Sequence, residues 1–96
     1  MKDEIIEKII EIMFFSNGIE YDKSQNHELI TNCGIDSMEM LIGIAELEEN
    51  YEIEIDFENE LIINGITVER LAELIMVLIQ DDKSFLRKKD ENNKYT

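Results

Sequence analysis

Apolar residues recur at helical spacing in three separate stretches of the chain. In the first stretch they lie three or four positions apart, with charged residues between them. These apolar positions are Ile5, Ile6, Ile9, Ile10 and Met13. The run Ser16-Asn17-Gly18 that follows is typical of a helix end. The pattern predicts a helix over about residues 2–15 that buries these five side chains.

The second stretch predicts a helix that begins at Asp36 and ends near Asn50. Asp36 and Glu39 have the spacing of a capping box, with Asp36 as the N-cap and Glu39 at the third helical position. We expect Gly43, a poor helix former, to mark close packing. The side predicted to be buried comprises Met38, Leu41, Ile42, Ala45 and Ile44. The side predicted to face solvent comprises Glu46, Glu48 and Glu49.

The third stretch is the most regular, and Thr67 is placed to cap it. Its apolar stripe comprises Val68, Leu71, Ala72, Ile75, Leu78 and Ile79. From about Lys83 the pattern gives way to a charged segment of low hydrophobicity. We therefore predict one domain over residues 1–82 and a charged, disordered tail over residues 83–96.

Two connections join these stretches. The first is long and polar, and we expect Ile19, Tyr21, Leu29 and Ile30 to hold it on the core. In the second, residues 52–57 alternate polar and apolar as in a strand, but an isolated strand without a partner is unstable. We predict an extended linker there, followed by a short helix over about residues 58–63. The predicted fold is all-α: a small four-helix bundle of three longer helices and a short one before the last.

The charge is strongly acidic and unevenly distributed. The chain has a formal net charge of -14, and residues 1–82 hold 21 of the 23 acidic residues but only four of the nine basic ones. Such a body repels nucleic acids and anionic membranes and favours partners with a basic face. Solubility alone is an equally ordinary reason for the charge. Mimicry of nucleic acid is a third interpretation, which the charge alone supports.

Other candidate sites are weak. Cys33 is the only cysteine, so no intramolecular disulfide forms, and with no basic neighbour it is predicted to be a passive thiol. His27 is the only histidine and is predicted to be a surface residue. We find no catalytic triad, zinc pattern or calcium loop, so the sequence predicts no enzyme and no metal site. The lack of a signal-peptide pattern or membrane-length apolar run predicts a cytoplasmic location, and we expect a monomer.

Ser37 follows Asp36 in the first turn of the second predicted helix. The positive end of the helix dipole and the unpaired backbone N–H groups there favour an anion. Local physics leaves two interpretations open, since a serine at this position is either part of an ordinary helix start or an attachment site for an anionic group.

The motif Gly34-Ile35-Asp36-Ser37-Met38 resembles that of the acyl carrier protein family, in which Gly-x-Asp-Ser-Leu opens the second helix. The acidic helix, the stretch Leu47–Ile55 with its isoleucine-containing linker, and the Thr67-Val68 opening of the last helix are similar to the family in the same order. The resemblance covers roughly residues 3–80. It implies that Ser37 carries 4'-phosphopantetheine, transferred from coenzyme A by a phosphopantetheinyl transferase with Asp36 assisting.

The resemblance further implies that the arm holds an acyl or aminoacyl group as a thioester for fatty-acid, polyketide or related biosynthesis. Met38, Glu39, Glu46 and Glu49 would meet basic docking faces on the acyl- or aminoacyl-processing enzymes. Four features depart from the family: Met38 in place of leucine, Asp56 where proline is common, a slightly longer and more apolar span from Ile55 to Thr67, and the basic tail. The alternatives are a peptidyl or aminoacyl carrier of a nonribosomal-type pathway, and an acidic interaction module without a prosthetic group.

Overall fold

A computed structural model describes residues 1–56 and 65–93, with side chains described as far as residue 80. In these residues the chain forms three α-helices: α1 (Lys2–Met13), α2 (Ser37–Tyr51) and α3 (Val68–Asn93). Three one-turn 3-10 helices lie in the connection between α1 and α2, at Phe15–Asn17, Lys23–Gln25 and Ile30–Asn32. The described residues contain no strand, only an isolated antiparallel bridge between Leu29 and Thr67. The all-α prediction is therefore confirmed for the part of the chain described.

The core forms where α1 packs against both α2 and α3. The five apolar residues predicted for the first helix are all buried. Four residues of the predicted α3 stripe are also buried, namely Val68, Leu71, Ala72 and Ile75. Leu78 and Ile79 are partly buried against the same core. Strict 3.6-residue periodicity thus identified the inner faces of both helices correctly.

The predicted inner face of α2 is wrong except at Ile44. The buried residues are Met40, Gly43, Ile44 and Leu47, whereas Met38, Leu41, Ile42 and Ala45 are exposed. Both sets have helical spacing, so the period alone does not choose between them. Packing against α1 decides, because a Cβ added at Gly43 would lie 2.8 Å from the Met13 Cγ. Gly43 allows the two helices this close approach, as its position in the sequence had suggested.

The connection between α1 and α2 is held to the core and to the start of α3. Gly18 ends the first 3-10 turn in the left-handed conformation, with φ 72°. Beyond it, Ile30 is fully buried and its N–H donates to the Ile66 carbonyl at 2.9 Å. The Lys2 ammonium bonds to the carboxylates of Glu69 and Glu73, which places the first turn of α1 beside the first turn of α3.

The described part of the segment after α2, residues 53–56, has no regular secondary structure and is not a strand, as predicted. Ile53 and Ile55 are both buried, which explains the alternating pattern. The short helix predicted over about residues 58–63 lies outside the described residues. The helical backbone of α3 continues to Asn93, but the division into a domain of residues 1–82 and a tail of residues 83–96 stays a prediction.

Candidate functional site at the start of the second helix

The first turn of α2 is built by the predicted capping box. The Asp36 carboxylate accepts a hydrogen bond from the Glu39 N–H at 2.7 Å, and the Glu39 carboxylate accepts one from the Asp36 N–H at 3.0 Å. Asp36 itself has extended backbone geometry, as an N-cap requires. The reciprocal pair determines where the helix begins, and therefore where Ser37 lies.

Ser37 is the first residue of α2 and is exposed. It lies at the helix end where backbone N–H groups lack intrahelical acceptors and the macrodipole is positive. A group attached to its hydroxyl would project into solvent without displacing any core side chain. The helix end would partly favour a negatively charged substituent here, against repulsion from the carboxylates of Asp36 and Glu39 in the same turn.

The residues predicted to meet partners lie on one exposed face of α2. Met38 is 66 % exposed, and Glu46 and Glu49 are exposed as well. Glu39 is half-buried, because its carboxylate is engaged in the capping box. At 3.6 residues per turn these four positions fall within an arc of about 100° around the helix, so they share one side of it.

Three further apolar residues lie on this exposed face of α2. Ile42 is 60 % exposed, Leu41 is 37 % exposed and Ala45 is exposed, although all three were assigned to the core. Together with Met38 they form an apolar strip bordered by the carboxylates of Glu46 and Glu49. The signal that could have revealed them was Gly43, because a glycine that permits close packing indicates the inner face of its helix.

Glu48 has a structural role that the sequence did not reveal. Its carboxylate accepts a hydrogen bond from the Ile55 N–H at 2.6 Å, while its backbone carbonyl accepts one from the Ile53 N–H at 3.0 Å. The linker after α2 is thereby tied to the last turn of the helix. Glu48 thus holds the linker in place, whereas its neighbour Glu49 lies on the exposed face of α2.

Two further candidate residues are Cys33 and His27. Cys33 is buried, its thiol donates to the Leu29 carbonyl at 3.3 Å, and burial raises its pKa above the usual range for a thiol. A buried, protonated thiol is a poor nucleophile, which agrees with the predicted passive role. His27 is exposed, as predicted. Within residues 1–56 and 65–80, no cluster of three metal-ligating side chains is arranged to hold an ion.

Comparisons with protein-family models, curated proteins and solved structures found no match to this chain. In the part of the chain that the structure describes, no helix combines the length and the apolar content needed to cross a membrane.

Proposed function

We propose that this chain is an acyl carrier protein, which carries acyl or aminoacyl groups as thioesters on a 4'-phosphopantetheine arm attached to Ser37. One observation supports it above the others: Ser37 is exposed in the first turn of α2, directly after the Asp36 cap, and an exposed apolar and acidic face begins at the next residue. The thiol that ends the arm supplies the thioester chemistry. Ser37 performs no catalysis, so the chain itself is not an enzyme.

Each residue near the site has a distinct part in this proposal. The Ser37 hydroxyl accepts the arm, and Asp36 both caps α2 and assists recognition by the phosphopantetheinyl transferase. Met38 continues the motif and starts the apolar strip on the exposed face of α2. This strip, with Leu41 and Ile42, would provide the apolar part of the contact with acyl- or aminoacyl-processing enzymes.

The acidic residues of that face would act on encounter with the partner. Glu46 and Glu49 are exposed, and neither carboxylate forms an ion pair within the described residues. A basic docking surface could therefore pair with both. Exposed charge of this kind speeds association and is screened by salt, which suits a carrier that must bind and leave several enzymes. We propose a cytoplasmic monomer that binds neither nucleic acid nor membranes.

The four-helix arrangement of the fold is part of the same proposal. A fourth, short helix over about residues 58–63 would complete a four-helix bundle of the acyl-carrier type. The described helices leave a connection of suitable length for it between the buried Ile55 and the buried Ile66.

The deciding experiment measures intact mass after incubation with coenzyme A and a broadly specific phosphopantetheinyl transferase. We expect a gain of one phosphopantetheinyl unit, its loss in Ser37→Ala, and its retention in Ser16→Ala, which changes another exposed serine. Modification that persists in Ser37→Ala would contradict the attachment site.

A second candidate function is an acidic interaction module without a prosthetic group. The exposed apolar strip of α2 favours it, because such a strip fits a protein partner whether or not Ser37 is modified. This candidate predicts no mass gain, and a salt-sensitive complex with one basic partner that Ile42→Glu weakens and Ser37→Ala leaves intact.

A further inference from the structure

A groove runs along the outer side of α1. Residues between Glu4 and Phe15 line one side of it, and the connection that follows α1 lines the other with Tyr21 and Lys23. Its volume is about 500 Å³. At about 1.5 Å per helical residue, the lining from Glu4 to Phe15 spans about 16 Å, which is the length of roughly five residues of extended chain. We call this surface the α1 groove.

The α1 groove faces away from α2. Its lining residues Glu4 and Glu11 lie about 160–180° around α1 from Met13. Met13 in turn packs against Gly43, where α1 and α2 approach closely. A protein bound in the α1 groove would therefore contact a different side of the molecule from the exposed face of α2 that carries Ile42.

One end of the α1 groove offers an apolar surface that is held in place before any partner binds. The Tyr21 ring packs on the buried Phe14 ring with centroids 4.3 Å apart, and the Tyr21 hydroxyl donates to the Asn26 side chain at 2.6 Å. Phe15, which lines the same end, is 57 % exposed. An exposed aromatic side chain near a second, fixed ring is typical of a contact site for an apolar side chain of a partner.

The remainder of the α1 groove is acidic. Three glutamates along α1 (Glu4, Glu7 and Glu11) outnumber the two lysines of the lining, Lys8 and Lys23. The Lys8 ammonium contacts the Glu11 carboxylate at 3.2 Å, whereas the exposed Glu7 carboxylate forms no ion pair among the described residues. The domain around the groove is strongly acidic as well, so the local potential attracts a basic segment and repels an acidic one.

We propose that the α1 groove docks an extended basic segment of a partner protein. A segment of about five residues would span the groove, with lysine or arginine side chains against Glu7 and a large apolar side chain against Phe15 and Tyr21. The apolar contact would supply most of the affinity, while the opposite charges would speed association and align the segment. This docking requires no arm on Ser37 and leaves the exposed face of α2 available to other proteins.

The test titrates the isotope-labelled full chain at low salt with synthetic peptides blocked at both ends, and NMR follows the backbone amide shifts. The probe is Lys-Lys-Ala-Ala-Phe. One control, Lys-Lys-Ala-Ala-Ser, lacks the large apolar side chain, and the other, Glu-Glu-Ala-Ala-Phe, carries the opposite charge. We expect the probe to shift the amides of Glu7, Phe15 and Tyr21 to saturation, and both controls to bind several-fold more weakly.

Two matched pairs of variants separate the α1 groove from the rest of the surface. Phe15→Ser should weaken probe binding several-fold, while Val77→Ser, at another exposed apolar residue, should leave it unchanged. Glu7→Gln should weaken probe binding more than Glu49→Gln, which removes the same charge from the exposed face of α2. Added salt should lower the affinity of the native chain for the probe, and lower that of Glu7→Gln less.

Several results would overturn this proposal. They are shifts confined to the α2 face around Ile42, equal binding of the charge-reversed peptide, and unchanged binding in Phe15→Ser. Shifts in the groove that grow with protein concentration in the absence of peptide would also overturn it, because they would make the groove an interface between copies of this chain. The proposed function is tested separately by the mass measurement on Ser37, so failure of either proposal leaves the other standing.

Discussion

The Glu48 carboxylate accepts a hydrogen bond from the Ile55 N–H at 2.6 Å and so connects α2 to the linker that follows it. The two residues are seven positions apart, and the bond holds Ile55 where its side chain is buried. A carboxylate that accepts from a partly buried N–H has more effect on stability than an acid on open surface, because the donor has no comparable partner without it.

Glu48→Ala should therefore lower the free energy of unfolding by about 1.5–3 kcal/mol, as for a hydrogen bond to a charged group. Glu48→Gln, which keeps an acceptor oxygen, should lose less. Urea unfolding followed by circular dichroism measures both. The matched control is Glu49→Ala, one residue along on the exposed face, which should stay within about 0.5 kcal/mol of the native chain. Equal losses at the two positions would contradict the role of Glu48.

Gly43→Ala should destabilise the protein even though alanine is the better helix former. The added methyl would meet the Met13 Cγ at 2.8 Å, and such overpacking costs about 1–3 kcal/mol, against about 1 kcal/mol gained in helix propensity. Thermal unfolding of Gly43→Ala and of the exposed-site control Ala45→Gly separates the two effects. Ala45→Gly should report propensity alone, and a stabilised Gly43→Ala would show that α1 and α2 do not meet at this position.

Asp36→Asn should show whether Asp36 only caps α2 or also assists recognition by the transferase. Asparagine caps helices about as well as aspartate, so the free energy of unfolding should change little, whereas Asp36→Ala should cost about 0.5–2 kcal/mol. If the carboxylate assists the transferase, both variants should be modified more slowly than the native chain. Mass spectrometry over time gives the rate, and chemical denaturation gives the stability. If Asp36→Asn is modified at the native rate, Asp36 serves only as the helix cap.

The protein should lose stability in alkaline solution. Burial is the main cause that raises the pKa of Tyr21 and of Tyr51 above the usual tyrosine value; nearby acidic groups add to the shift at Tyr21, whereas Lys8 opposes it at Tyr51. The folded state therefore retains these protons at pH values where the unfolded state, with a tyrosine pKa of about 10, has lost them. These two tyrosines therefore contribute their full stabilisation below about pH 10 and lose it as the pH rises further, and the raised pKa of the buried Cys33 thiol adds to the loss in alkaline solution.

Melting temperatures measured between pH 8 and pH 11.5 test this expectation. Tyr21→Phe should fall less steeply with pH than the native chain, although its stability at neutral pH is lower because the bond to Asn26 is lost. If the melting temperatures of both proteins fall equally steeply with pH, the pKa of Tyr21 does not differ between the folded and unfolded states.

Much of the site could be predicted from local sequence because its determinants are local. The Asp36–Glu39 capping box needs only residues within one helical turn, and so does the cap at Thr67, whose hydroxyl accepts from the Arg70 N–H at 3.0 Å. These contacts form wherever the helix forms, whatever it packs against. The start of α2, and with it the exposed first-turn position of Ser37, follows from them.

The inner face of α2 could not be predicted in the same way. Met38, Ile42 and Ala45 have helical spacing as good as that of Met40, Ile44 and Leu47, and both sets are apolar. Which set is buried depends on where α1 lies, since only the face that contains Gly43 admits Met13 closely. The exposed apolar strip beside Ser37 is a consequence of that choice.

The sequence by itself determined the positions of α1 and α2, the start and apolar stripe of α3, the N-caps of α2 and α3 and the candidate serine, because periodicity and capping act over one or two turns. Only the tertiary structure decided that the α2 strip faces outward, that Glu48 holds Ile55, and that Ile19 lies beside Gly34. These relationships join residues seven or more positions apart. Long-range packing determines such contacts, and no local pattern encodes them.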